Sequence, residues 1–123
     1  MRKTAMMMAL VALFTLVATG AAYAVMKTCT LVPCEGTSAT DVLNERLGDG
    51  KRDAIYGFQR ADQLRAHRYA RDTDYLYGGL GNDRLNVLDG DCNDWAVGGP
   101  GEDFCWIDDE SELSPTCENY AIP

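Results

Sequence analysis

Asp41, Asp53, Asp62, Asp74, Asp83, Asp94 and Asp103 divide the middle of the chain at intervals of 12, 9, 12, 9, 11 and 9 residues. Carboxylates repeated at a short spacing, several of them closing turns rich in glycine and asparagine, suit one chemistry above others. They gather oxygen ligands for a hard divalent cation. Each acid is followed two positions later by a side chain that can point into a core: Leu43, Ile55, Leu64, Leu76, Leu85, Ala96 and Cys105. One acid and one inward residue per short unit marks a repeat architecture, in which every unit packs on its neighbours.

Two units show the pattern most fully. They are Gly78-Gly79-Leu80-Gly81-Asn82-Asp83-Arg84-Leu85-Asn86 and Gly98-Gly99-Pro100-Gly101-Glu102-Asp103-Phe104-Cys105-Trp106. Each reads as a tight turn, built from residues that tolerate left-handed backbone angles, followed by a strand of three or four residues. Paired intervals sum to 21, 21 and 20 residues, and the extra residues always fall in the same alternate set. A chain that alternates between two parallel sheets explains this, with two units per circuit. Lengthened turns ending at Asp53, Asp74 and Asp94 then stack along one edge. Compact turns ending at Asp41, Asp62, Asp83 and Asp103 stack along the other. The expected architecture is all-β: a parallel β-roll, or two-sheet β-solenoid, of about seven short repeats.

Glycine turns can aim their carbonyls at an ion, and the closing aspartate supplies charge. The best site is therefore expected on the compact edge, between Gly79, Gly81 and Asp83 of one turn and Gly99, Gly101 and Asp103 of the next. On the lengthened edge Asp89, Asp91 and Asp94 would share an ion with the turn ending at Asp74. Nearer the N-terminus Arg60 stands where a glycine belongs, Arg52 precedes Asp53, and Arg71 lies in the turn before Asp74. A guanidinium can satisfy a carboxylate in place of a metal, so the front coils are expected to rely on Arg–Asp contacts. Asp53→Ala should then weaken ion binding less than Asp83→Ala or Asp103→Ala. The alternative is that no ion binds and each aspartate caps its own turn.

Between Gly36 and Trp106 the units resemble the repeats-in-toxin, or haemolysin-type, calcium-binding proteins. The motif is G-G-x-G-x-D-x-U-x, with U apolar. It is strong at 78–86 and 98–106, moderate at Gly36-Thr37-Ser38-Ala39-Thr40-Asp41-Val42-Leu43-Asn44, and weak in the arginine-bearing units. The resemblance implies a parallel β-roll holding Ca2+ in its turns. Many members carry the roll beside a catalytic domain, for which this chain has no room. It looks more like the small stand-alone secreted forms.

Residues 1–24 read as a secretory signal peptide: Arg2 and Lys3, an apolar run from Ala5 to Val17, then a small-x-small cleavage site at Ala22-Tyr23-Ala24. The run is too short to favour a membrane span. Segment 25–35 is an expected N-terminal cap, 36–106 the repeats and 107–123 a C-terminal cap. Removing the two leader charges takes the formal balance from −8 to −10. That acidity argues against nucleic acid and anionic membranes as partners and suits calcium ions. Export permits disulfides. Four cysteines allow three connectivities; pairing Cys29 with Cys34 and Cys105 with Cys117 is preferred because it ties down both ends. Cys92 is left over.

No catalytic residue is assigned, since the single histidine, His67, has no nucleophile motif nearby. Outward residues of the second sheet, including Tyr56, Tyr75, Tyr77 and Trp95, form an uncharged aromatic ladder. It is a candidate interface for a protein partner, a carbohydrate or a second copy. A terminal segment folding back over it is the alternative.

Overall fold

The computed structural model describes residues 23–29, 33–45, 52–66 and 72–123. Most of the leader, His67 and Arg71 lie outside them. Regular structure among the described residues is strand, apart from one 3-10 turn, η1 (Glu110–Glu112).

One parallel sheet contains β1 (Met26–Cys29), β3 (Val42–Glu45), β5 (Gln63–Arg65), β7 (Arg84–Asn86), β9 (Phe104–Trp106) and β10 (Asn119–Ala121), in that order. The other contains β2 (Cys34–Glu35), β4 (Asp53–Gln59), β6 (Asp74–Leu80) and β8 (Trp95–Val97). Successive strands from β1 to β9 therefore fall in alternate sheets. From β1 to β7 each strand pairs in parallel with the strand two places on: Leu43 faces Leu64, Leu64 faces Leu85, and Ile55 faces Leu76. The fold is all-β, with two parallel sheets.

Strand alternation sends every second side chain inward. Leu43, Ile55, Leu64, Leu76, Leu85, Ala96 and Cys105 are all at most 1% exposed, as the spacing predicts. A second inward column was not foreseen. Ala66, Val87 and Ile107 follow the inward residues of β5, β7 and β9 by two positions, and all are buried. In the first coil that position belongs to Glu45, which is also buried.

Strands β4 and β6 run to seven residues each, longer than the expected three or four. They continue past Gly57 and Gly78 because the turns themselves pair, Phe58 with Gly79 and Gln59 with Leu80. A Cβ on Gly78 would stand 2.3 Å from Asp83 Oδ2 and 2.7 Å from the carbonyl of Gly98. Glycine is needed there for room.

The segments read as caps extend the sheets. β1 pairs with β3 and β2 with β4, while β10 pairs with β9 and Leu113 bridges to Ala96. Disulfides Cys29–Cys34 and Cys105–Cys117 fasten the two ends, in the preferred pairing. Cys92 is free and exposed.

Gly79 and Gly81 adopt φ of 101° and 127°. One circuit earlier their places are taken by Phe58 and Arg60, at φ 82° and 70°. A side chain in the left-handed region costs about 1–2 kcal/mol. Arg60→Gly should therefore stabilise the fold by about 1 kcal/mol, net of glycine's entropy. Thermal unfolding would show a midpoint higher by about 4–8 °C; an unchanged or lower midpoint would contradict the strain.

Candidate metal centres

The compact edge is a ladder of carboxylates. Asp41 N–H donates to Asp62 Oδ1 at 2.7 Å, Asp62 N–H to Asp83 Oδ1 at 2.8 Å, and Asp83 N–H to Asp103 Oδ1 at 2.7 Å. All four aspartates are essentially sealed from solvent. Each thus uses one oxygen to bind the preceding coil. The second oxygen of Asp62, Asp83 and Asp103 is buried without a hydrogen-bond donor. At the far end Asp103 N–H donates to Glu118 Oε2 at 3.0 Å, so an acid of the C-terminal segment ends the ladder.

The lengthened edge repeats this in part. Asp74 N–H donates to Asp94 Oδ1 at 2.8 Å. Asp94 N–H in turn supports the carboxylate of Glu112, which also accepts from Asp108 N–H at 2.7 Å. Glu112 is fully buried, and a capping box with Asp109 sets η1 in place to present it. Asp53 departs from the pattern: its N–H donates to the Thr73 carbonyl.

The longer turns bring further acids together. Carboxylate oxygens of Glu45, Asp53, Asp72 and Asp74, all buried, lie within 4.8 Å of one another. Those of Asp89, Asp91 and Asp94 form a second such group. Two of these acids already order the loop, since Asp91 N–H donates to Asp89 Oδ1 and Asn93 N–H to Asp91 Oδ1, both at 2.9 Å. Asp108 ties the loop to the C-terminal segment by accepting from Asp89 and Gly90 N–H. One oxygen each of Asp89, Asp91 and Asp94 remains buried without a donor. These groups could hold a metal ion.

The structure thus divides the expected ligands. Asp89, Asp91 and Asp94 converge, while Asp74 joins a different group, with Glu45, Asp53 and Asp72. Asp83 and Asp103 are engaged in the backbone ladder and in neither group. In their turns Gly79 N–H donates to the Gly98 carbonyl and Gly81 N–H to that of Pro100, so the stacked turns are bonded directly to each other. Glu45 was missed, although an acid heading the column Ala66, Val87 and Ile107 is a readable signal once the register is known. Of the arginines expected beside the front aspartates, Arg71 lies outside the described residues. Arg52 lies 5.6 Å over the Tyr75 ring, Arg60 is exposed, and Asp62 is met by the Asp41 amide.

Tyr56 and Tyr77 stack with centroids 4.9 Å apart and planes 7° apart, and Tyr75 continues the column beside Tyr77. Ring faces are therefore turned towards one another. Trp95 is 39% exposed. The described end segments lengthen the sheets at their edges. Comparison with family models, curated proteins and solved structures finds no match.

Burial first, opposed by the inter-coil N–H and aided by neighbouring aspartates, raises Asp62 and Asp83 to about 6. Burial raises Asp94 to about 8, with Asp89, Asp91 and Glu112 adding to it. Asp74, buried beside Glu45, Asp72 and Asp94, is raised to about 9. The unfolded reference is 3.8. Carboxyls that titrate higher when folded contribute most below that reference, and their contribution is lost as pH rises through the folded values. The metal-free chain should therefore lose thermal stability between about pH 4 and pH 9. Melting in chelator across that range checks it; a midpoint that climbs with pH would contradict the burial of these acids.

Proposed function

We propose that this chain is an exported, non-enzymatic calcium-binding β-roll, in which the ion serves structure first. The observation that carries the reading is the group Glu45, Asp53, Asp72 and Asp74. Four buried carboxylates whose oxygens lie within 4.8 Å are mutually repulsive when charged, and a divalent cation removes that repulsion.

The donor set favours calcium. Ca2+ takes six to eight oxygens in a forgiving geometry, and four carboxylates offer that many. Mg2+ demands near-octahedral geometry and keeps several waters, which suits a buried cluster poorly. Zn2+ prefers nitrogen and sulfur ligands. Asp89, Asp91 and Asp94 would hold a second, more open ion. Parallel sheets entered alternately, in circuits of 20 or 21 residues, support the β-roll. The two disulfides fit an oxidising setting. No helix among the described residues is long and apolar enough to cross a membrane. Removal of residues 1–24 on export completes the reading, and affinities of roughly 10⁻⁴ to 10⁻³ M would leave the sites filled outside a cell.

Calcium titration of the oxidised chain, followed by calorimetry and thermal unfolding, tests this. At a hundredfold excess over Kd, binding adds about 2.7 kcal/mol, which moves the midpoint of a domain this size by about 10 °C or more. Asp53→Asn should weaken the tighter site at least tenfold, that is by about 1.4 kcal/mol, and Asp103→Asn should weaken it less. The opposite order would move the site to the compact edge. Heat and midpoint that ignore calcium would sink the proposal.

A further inference from the structure

The carboxylate ladder on the compact edge has a defined beginning. Its first member, Asp41, is fully buried, and its Oδ1 accepts a hydrogen bond of 2.7 Å from the backbone N–H of Val25. The expected leader cut falls between Ala24 and Val25. The atom bound by the first carboxylate of the ladder is thus the one that such a cut would free.

We infer that removal of the leader creates a partly buried ion pair, in which the new α-ammonium of Val25 neutralises Asp41 and locks the first coil. The inference rests on the exported reading above. Hydrolysis adds water across the Ala24–Val25 peptide bond. The water oxygen goes to the Ala24 carbonyl carbon, leaving a carboxylate on the released leader, and the Val25 nitrogen takes up protons to become an ammonium. A charge-assisted N–H···O bond then replaces a neutral one, and such bonds are about twice as strong.

The surroundings suit both the cut and the pairing. Tyr23 is 78% exposed and Ala24 is exposed, so the bond is open to a protease. Val25 itself stays fixed after cleavage, because its carbonyl accepts from Val42 N–H at 2.8 Å and β1 begins at the next residue. The Cys29–Cys34 disulfide anchors the same segment. Thr37 supports Asp41 from the opposite side through its N–H and its hydroxyl. Its hydroxyl also reaches the Tyr23 carbonyl at 3.4 Å, a contact the cut would release. Among the described residues the charged groups around the pair include Asp62, one step along the ladder, Arg60 across the hollow it shares with Ala24, and Lys27 and Glu35 on β1 and β2.

Three forms of the oxidised chain decide the matter: one starting at Val25, one retaining Ala24, and one starting at Nα-acetylated Val25. The Val25 form should melt several degrees above the other two at pH 7. By NMR its α-amino group should titrate above the ordinary 7.7–8.0. A group raised on folding contributes below its unfolded value and loses its effect as pH rises through the folded one, so the advantage should vanish at strongly alkaline pH. Asp41→Asn should abolish the difference between N-termini, whatever it does to overall stability. Equal melting with an ordinary or lowered amino pKa overturns the ion pair and leaves the leader reading intact. Mass spectrometry of the exported chain showing a start other than Val25 overturns both.

Discussion

A carboxylate withdrawn from water has to be met by donors, by a proton or by a cation, and all seven repeat aspartates of this chain are withdrawn from water. The two edges solve the problem differently. Along the compact edge each turn brings one aspartate and offers one backbone N–H to the next, so the stack bonds itself coil by coil. Its last N–H is answered by Glu118. Its first carboxylate is answered by Val25. The glycines that open these turns are consequences of the same demand, since a Cβ there would occupy the space of the aspartate oxygen.

The lengthened edge gathers acids instead: carboxylate oxygens of Glu45, Asp53, Asp72 and Asp74 lie within 4.8 Å of one another, and so do those of Asp89, Asp91 and Asp94. Glu45 adds a buried acid from the other sheet, in a column otherwise given to Ala66, Val87 and Ile107. One group lies where β3, β4 and β6 meet, the other in the loop 89–94. Carboxylates this close repel one another when charged, and on the proposed reading a bound cation would turn that repulsion into a cross-link between coils.

Much of this was legible because a short period constrains many residues at once. The interval sums placed Asp62 over Asp83 and Asp83 over Asp103, and the inward series from Leu43 to Cys105 followed from alternation alone. Both disulfides were also readable, since end coils lack a neighbour. Ligand placement was less legible. The convergence of Asp89, Asp91 and Asp94, and of Glu45 with Asp53, Asp72 and Asp74, appears only once both sheets are in register, whereas the turns of Gly79, Gly81, Gly99 and Gly101 stack through backbone hydrogen bonds. Glu45 is invisible until two sheets are in register, and Glu112 and Glu118 belong to no repeat. Arg60 and Phe58 occupy left-handed positions where the next coil has Gly81 and Gly79, so the fold imposes turn geometry even where local preference opposes it.

The proton count of calcium binding tests this account most directly. Carboxyls pushed up to about 8 and 9 are largely protonated at neutral pH, and a metal must displace those protons to bind. Calorimetry of calcium binding at pH 7, in buffers of different ionisation enthalpy, should show about one proton or more released per ion, falling towards zero at pH 10. Binding without proton release at pH 7, or no binding at all, would contradict the claim that a cation completes these buried carboxylate clusters.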